Sequence, residues 1–146
     1  MTKKCKNGQK FACPDGTYSL NKLAKNTGEC QNCQAGKFCV SGTQNACLAG
    51  SMCYSGSSTP TPDGSNPVIG EPCPAGYYCP QGTVNNPTVV ALACNTGAYQ
   101  PNPGQSNCIN CPAGSYCPPI AQGIFEVITT YPCPKGYYCE EASLYP

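Results

Sequence analysis

Apolar side chains recur in this chain at one fixed place. Two positions past a glycine stand Tyr18, Phe38, Met52, Tyr78, Tyr99, Tyr116 and Tyr138. Each of those glycines ends a C-x-x-G unit, and the seven units begin at Cys13, Cys33, Cys47, Cys73, Cys94, Cys111 and Cys133. The spacing predicts a type I turn with Pro in its second slot and Gly in its fourth. The aromatic ring is then expected to lie over the half-cystine and to supply most of the buried apolar area of its unit. Tyr77 and Tyr137 stand beside the ring slot and are expected to face outward, as candidates for sugar or partner contact. Residues 124–131 (IFEVITTY) form the most strand-like stretch, rich in β-branched and aromatic side chains. That stretch is expected to pair with residues 88–93 (TVVALA), or to add to the sheet edge of a neighbouring copy. No run approaches 18 apolar residues, so a transmembrane helix is not expected.

The units repeat on a longer period. In five of them a second Cys follows the ring slot at once: Cys39, Cys53, Cys79, Cys117 and Cys139. The other two have Ser19 and Gln100 there and gain a later Cys, at Cys30 and Cys108. The expected organisation is a lead-in (1–12) and a first super-repeat of four units (13–93, with units 13–30, 33–47, 47–53 and 73–93). A second, truncated super-repeat (94–146, with units 94–108, 111–132 and 133–146) completes it. A sequence that ends inside a repeat reads as a piece of a longer chain or as an assembly subunit. Single units cannot stand alone, so they are expected to stack on one another. The fold class expected is small and disulfide-rich, mostly β-hairpin and turn with little or no helix. Its shape is expected to be an elongated tandem-repeat rod without a single large core.

Composition sharpens this picture. Leu, Ile, Val and Phe supply only 19 of 146 residues, and there is no Trp. So few large aliphatics cannot offset the cost of ordering the backbone, roughly 1–2 kcal/mol per residue. Fifteen Cys, 16 Gly and 16 Pro point instead to cross-linked loops. The net charge of +1 argues against disorder. There is no His and no Arg, which removes the commonest general base and the commonest nucleic-acid contact. No nucleic-acid partner, no catalytic residue, no metal and no cofactor is expected. Fifteen cysteines imply an oxidising, extracellular or cell-surface location, although the N-terminus lacks an apolar signal segment.

The pattern C-P-x-G-x-Y with a following C-x-x-C, clearest at 13–33 and 94–117, resembles the ephrin-receptor-like cysteine-rich repeats. These are similar in style to tumour-necrosis-factor-receptor and growth-factor-receptor Cys-rich modules. Such repeats also occur in large secreted and surface proteins of ciliates and other protists. The resemblance implies Cys13–Cys30 and Cys94–Cys108 bridges. The remaining cysteines then pair within units, as Cys33–Cys39, Cys47–Cys53, Cys73–Cys79, Cys111–Cys117 and Cys133–Cys139. That scheme leaves Cys5 unpaired or intermolecular. An interleaved scheme (Cys33–Cys47 with Cys39–Cys53) and a sequential one (Cys5–Cys13, Cys30–Cys33, Cys39–Cys47 and onward, leaving Cys139) stay open, since spacing does not fix connectivity.

Other chemistry is weaker. The C-x-x-C pairs at 30–33 and 108–111 have zinc-ribbon spacing but lie far apart among many half-cystine candidates. No βαβ pattern supports a thioredoxin-like role for them. The stretch 62–66 (PDGSN) offers one carboxylate and reads as a loop rather than a calcium site. The scattered acids do not suggest a glycosidase pair. Residues 55–67 are rich in Ser, Thr and Pro, the composition of a stalk or linker, with O-glycan candidates at Ser57, Ser58, Thr59 and Thr61. There is no N-glycosylation sequon.

Charge is polarised. Residues 1–40 carry seven Lys against Asp15 and Glu29, whereas residues 41–146 carry Lys135 against five acids. Lys3, Lys4 and Lys6 at one end, and Glu140 and Glu141 at the other, are assembly candidates. So are Ile124, Phe125, Val127, Ile128 and Tyr131 in the strand-like stretch. The function expected is an extracellular structural repeat protein, a disulfide-stapled building block of a surface coat, appendage or head-to-tail filament. The partner expected is the chain itself, as a homopolymer or as tandem repeats of a longer chain, with possible covalent glycans. The alternative is the Cys-rich ectodomain of a receptor or adhesin, acting as spacer or ligand-binding module.

Overall fold

The computed structural model of the chain describes residues 9–21, 23–84, 92–118 and 130–146. The chain forms two compact units. One comprises Met1–Glu71 with Gln81–Asn85, and the other Pro72–Pro80 with Asn86–Pro146. Regular structure among the described residues is ten short strands and one 3-10 turn, Thr27–Glu29. The strands are β1 (Thr17–Tyr18), β2 (Gln31–Asn32), β3 (Lys37–Val40), β4 (Thr43–Ala46), β5 (Ser51–Cys53), β6 (Gly70–Pro72), β7 (Ala98–Tyr99), β8 (Ile109–Asn110), β9 (Ser115–Tyr116) and β10 (Tyr131–Pro132). They pair in sequence order into five two-stranded sheets. The fold is small, disulfide-rich and built of hairpins and turns.

One rule generates all five sheets. The residues just past a turn glycine pair with the residues just before the Cys of the next module. Thus Thr17 pairs with Asn32 and Tyr18 with Gln31, ahead of Cys33. Lys37 pairs with Ala46 ahead of Cys47, Ala98 with Asn110 ahead of Cys111, and Ser115 with Pro132 ahead of Cys133. In the fourth module a single bridge, Tyr77 to Ala93, does the same ahead of Cys94. The β3–β4 hairpin turns on Ser41 and Gly42, both with positive φ (50° and 76°). Two positive φ values make a type I′ turn, whose twist matches that of the flanking strands. The Asp15 carboxylate accepts the Ser41 N–H at 3.0 Å, so the first module holds the hairpin of the second.

The module turn itself corrects the sequence expectation. In all seven modules the hydrogen bond runs from the residue after the glycine to the residue after the Cys. Examples are Thr17 N–H to Pro14 O (3.0 Å), Ser115 to Pro112 (3.1 Å) and Tyr137 to Pro134 (3.1 Å). The turn therefore begins one residue later than expected and places the glycine third, where its φ is positive (84° at Gly16). The residue before that glycine keeps negative φ, which defines a type II rather than a type I turn.

Sulfur rather than hydrocarbon fills the interior. Among the described residues, the buried apolar ones are eleven half-cystines together with Ala24, Met52 and Tyr77. The ring slots are only half-buried, except Met52, which is buried, and Tyr138, which is exposed. The ring expected to cover its own cystine instead reaches onward: Tyr99 packs against the Cys111–Cys117 pair of the following module. Tyr77, expected to face outward, is 4% exposed, because the strand bridge to Ala93 covers it; Tyr137 is exposed.

Candidate functional site

The disulfides are Cys13–Cys30, Cys33–Cys39, Cys47–Cys53, Cys73–Cys79, Cys94–Cys108, Cys111–Cys117 and Cys133–Cys139. Cα separations run from 5.6 Å to 6.0 Å, inside the usual range. The two C-x-x-C pairs spend their four sulfurs in four different bridges, so no thiolate remains there for a metal or for redox exchange. Among the described residues no group of three or more Cys, Asp and Glu is placed to hold a metal ion.

The feature that recurs is backbone, centred on the turn glycine. Its C=O accepts the N–H of the first Cys of the next module: Cys33 to Gly16 (2.8 Å), Cys47 to Gly36 (3.0 Å), Cys94 to Gly76 (3.0 Å), Cys111 to Gly97 (2.8 Å) and Cys133 to Gly114 (2.9 Å). Its N–H donates to the carbonyl at the second-Cys slot of that same next module: Gly16 to Cys39 (2.8 Å), Gly36 to Cys53 (2.7 Å), Gly76 to Gln100 (2.7 Å) and Gly114 to Cys139 (2.9 Å). A further bond returns from the module tail to the preceding first Cys: Gly56 to Cys33 (2.9 Å), Gly104 to Cys73 (2.6 Å) and Ala142 to Cys111 (2.8 Å). Gly16, Gly36 and Gly114 are thus held by both half-cystines of the next disulfide loop. These bonds satisfy backbone groups that burial would otherwise strand.

Ser19 and Gln100 occupy the second-Cys slot where no Cys is present, and both are buried. Gln100 replaces the bridge with hydrogen bonds: its amide donates to the Asn107 carbonyl at 2.7 Å and its Oε1 accepts the Asn102 N–H at 3.2 Å. Ser19 Oγ accepts the Asn21 N–H at 3.4 Å. The sequence signal for this role is the alignment of both residues with the missing Cys. The glycine bonds left no signal beyond the C-x-x-G repeat.

The remaining candidates scatter. Residues 55–62 pack against the protein rather than forming a free stalk: the Cys39 N–H donates to the Ser57 carbonyl and the Leu48 N–H to the Pro60 carbonyl. Ser57 is fully buried, and its hydroxyl donates to Thr59 O at 3.1 Å, which removes it as an accessible glycan acceptor. Thr61 is exposed, and Ser58 and Thr59 are half-buried. The Asp63 carboxylate accepts the Ser65 N–H at 2.9 Å, and hydrogen bonds from Ser65 hold its pKa below the ordinary aspartate range. That carboxylate closes a turn. Tyr131 stacks on Tyr116, with ring centroids 5.6 Å apart. Glu140 and Glu141 are exposed, and Glu141 accepts from the Asn110 amide at 3.0 Å. Cys5, Lys3, Lys4, Lys6, Ile124, Phe125, Val127 and Ile128 lie outside the described residues, as do residues 88–91. A depression of about 320 Å³ is lined by Tyr78, Asn95, Asn107 and Asn110 among others and holds no acid–base pair.

These observations define a chain of small, disulfide-closed turn modules. Residues 90–121 match the family described as tyrosine-protein kinase ephrin type A/B receptor-like. The matched stretch contains the fifth and sixth modules, with Cys94–Cys108 and Cys111–Cys117. The chain is also similar to ABC transporter G family member 25 of Oryza sativa subsp. japonica, 26% identical over 154 residues and 95% of this chain. ABC transporter G family member 28 of Arabidopsis thaliana is 34% identical over 88 residues and 49% of this chain. The similarity spans only 12% and 7% of the lengths of those two proteins. No helix among the described residues is long and apolar enough to cross a membrane.

Proposed function

We propose that the chain is an extracellular structural repeat, a disulfide-stapled building block of a surface coat, appendage or head-to-tail filament. The observation that supports this reading is the reuse of one backbone contact, glycine to next cystine loop, from module to module. A contact that joins related modules within a chain is also suited to join chains. The mechanism is mechanical: short loops locked by disulfides and by each other resist unfolding and proteolysis. Electron microscopy of the oxidised protein tests the reading. Filaments or sheets with a fixed axial repeat are expected; a monodisperse monomer at every concentration would overturn it.

O-glycans on Ser58, Thr59 and Thr61 belong to the same proposal, since these residues share a loop that is not fully buried. An intact mass above the peptide mass is expected for material from a eukaryotic secretory host. Loss of the excess in the Ser58→Ala/Thr59→Ala/Thr61→Ala variant would locate it.

A second reading has its own support. Similarity over 95% of the chain to a short part of a much longer protein fits a Cys-rich spacer within a larger surface protein. A chain that stays monomeric while keeping its seven disulfides would favour it.

A further inference from the structure

The first and fifth modules align Cys for Cys but carry different side chains at equivalent places. Pro14 and Asp15 of the first turn correspond to Asn95 and Thr96, and Glu29 corresponds to Asn107. Gly56, whose carbonyl lies against Gly16, corresponds to Ala142, whose carbonyl lies against Gly97. In the first module both carboxylates are spent on the protein itself. Asp15 accepts the Ser41 N–H at 3.0 Å, and Glu29 accepts the Lys25 N–H at 3.0 Å. In the fifth module both acids are gone, and neutral hydrogen-bonding side chains stand in their places. Of the seven C-x-x-G units, only Cys94–Gly97 has uncharged hydrogen-bonding side chains at both middle positions.

These replacements line the depression of about 320 Å³, together with Tyr78, Asn110 and Ala142. That volume lies at the lower end of small-ligand sites, about 300–1,000 Å³. None of its lining residues is a Lys, Asp or Glu. Its walls are fixed by backbone and sulfur. Ala98 pairs with Asn110, and the Cys94–Cys108 bridge ties the turn to the segment that carries Asn107. The Ala98 N–H donates to the Asn95 carbonyl at 3.0 Å, and the Gln100 amide donates to the Asn107 carbonyl at 2.7 Å. The Asn110 amide donates to Glu141 at 3.0 Å, which leaves its oxygen and its second N–H for a ligand. Ala142 holds a φ of 61° where the first module has Gly56 at 86°. A side chain in that region is strained, and such strain collects at ligand sites.

We infer that this depression binds a neutral sugar unit. The sugar hydroxyls bond to the side chains of Asn95, Thr96, Asn107 and Asn110, and its C–H face lies toward the half-buried Tyr78 ring. An amide both donates and accepts, as a sugar hydroxyl does, so the two match in either direction. The aromatic ring supplies the apolar surface that the C–H face requires. Sites for apolar ligands are lined mainly by hydrocarbon, whereas amides and hydroxyls dominate here. The Glu141 carboxylate on Asn110, with no Lys in the lining to offset it, disfavours an anionic sugar. The fixed walls spare the ordering cost that a mobile loop would impose. The site goes beyond the structural-repeat reading and does not depend on assembly.

Titration of the isotope-labelled, oxidised full chain with glucose, galactose, mannose, xylose and N-acetylglucosamine, followed by NMR, tests this. At least one of these sugars is expected to give saturable shifts at the side-chain amides of Asn95, Asn107 and Asn110. Glucuronic acid is expected to bind about tenfold more weakly or worse. Asn95→Pro/Thr96→Asp/Asn107→Glu installs the first module's own residues, which that turn already tolerates. It is expected to weaken binding by about tenfold or more. Tyr78→Met places at the ring slot the residue that Met52 supplies there, and is expected to weaken binding as well. Should one variant lose its amide dispersion, the other carries the comparison. Absence of a saturable shift with every neutral sugar would overturn the site. So would shifts that persist undiminished in the folded variants or that cluster away from these amides. Glucuronic acid bound as tightly as the neutral sugars would overturn the assignment of a neutral ligand. Each of these results leaves the assembly reading untouched, since electron microscopy decides that separately.

Discussion

Reduction of the seven disulfides will unfold both compact units, with collapse of amide dispersion in the proton NMR spectrum and loss of near-ultraviolet circular dichroism. The reason is the composition of the interior. Among the described residues, the buried apolar set apart from eleven half-cystines is Ala24, Met52 and Tyr77, and such a trio contributes little against the cost of ordering the backbone. Each bridge in a small domain contributes about 2–4 kcal/mol, whereas the net stability of a folded domain is about 5–15 kcal/mol. Losing all seven therefore exceeds the whole margin, even with generous discount for non-additivity. Single bridges will grade. Cys33→Ala/Cys39→Ala opens a fully buried pair whose carbonyls and N–H groups hold the neighbouring modules, through Gly16, Gly56 and Ser57. It is expected to cost about 3 kcal/mol. Cys133→Ala/Cys139→Ala lies in the module with an exposed glycine and exposed rings and is expected to cost less. Paired melting curves of the two variants check the order, and retained NMR dispersion after full reduction would refute the sulfur-core account.

The parts legible in the sequence were those that chemistry writes as residue identity. The C-x-x-G repeat marks the seven module turns, and the ring slot falls in the strand that follows in five of them, because a turn glycine and a half-cystine tolerate few substitutes. The hairpin class followed from that spacing. What stayed hidden is backbone. The glycine-to-cystine hydrogen bonds use N–H and C=O groups common to all residues, so nothing at Cys39 or Gln100 announces that its carbonyl accepts from the preceding glycine. The turn type was misread because Pro14 looked like a second-position residue, whereas its carbonyl is the first-position acceptor of Thr17. Tyr77 was misread because it stands in a Tyr-Tyr pair beside the ring slot at Tyr78, and nothing in that pair announces that its backbone bridges Ala93 and that it is buried.

Gly36→Ala and Gly136→Ala will separate two roles that the same residue plays in every module. Both glycines sit at positive φ, 79° and 90°, where an L side chain costs roughly 1–2 kcal/mol. That cost is common to the two variants. Only at Gly36 does the added methyl also collide, 2.5 Å from Gly82 O and 2.6 Å from Val84 Cγ1. The carbonyl contact is with backbone, so it cannot be relieved by a rotamer change; the tail around Gly82 must move and loosen the Gly82-to-Cys47 hydrogen bond of 3.0 Å. Losing a buried backbone hydrogen bond adds about 1–3 kcal/mol. The expected total is about 2–5 kcal/mol at Gly36 against roughly 1–2 kcal/mol at Gly136. Gly16→Ala, with Gly56 O at 2.6 Å, should behave like Gly36→Ala. Thermal melts of dilute, non-assembling protein measure the difference. Equal destabilisation at Gly36 and Gly136 would mean that the turn alone demands glycine. A larger loss at Gly36 and Gly16 shows that the glycines are kept bare because successive modules pack their backbones against them.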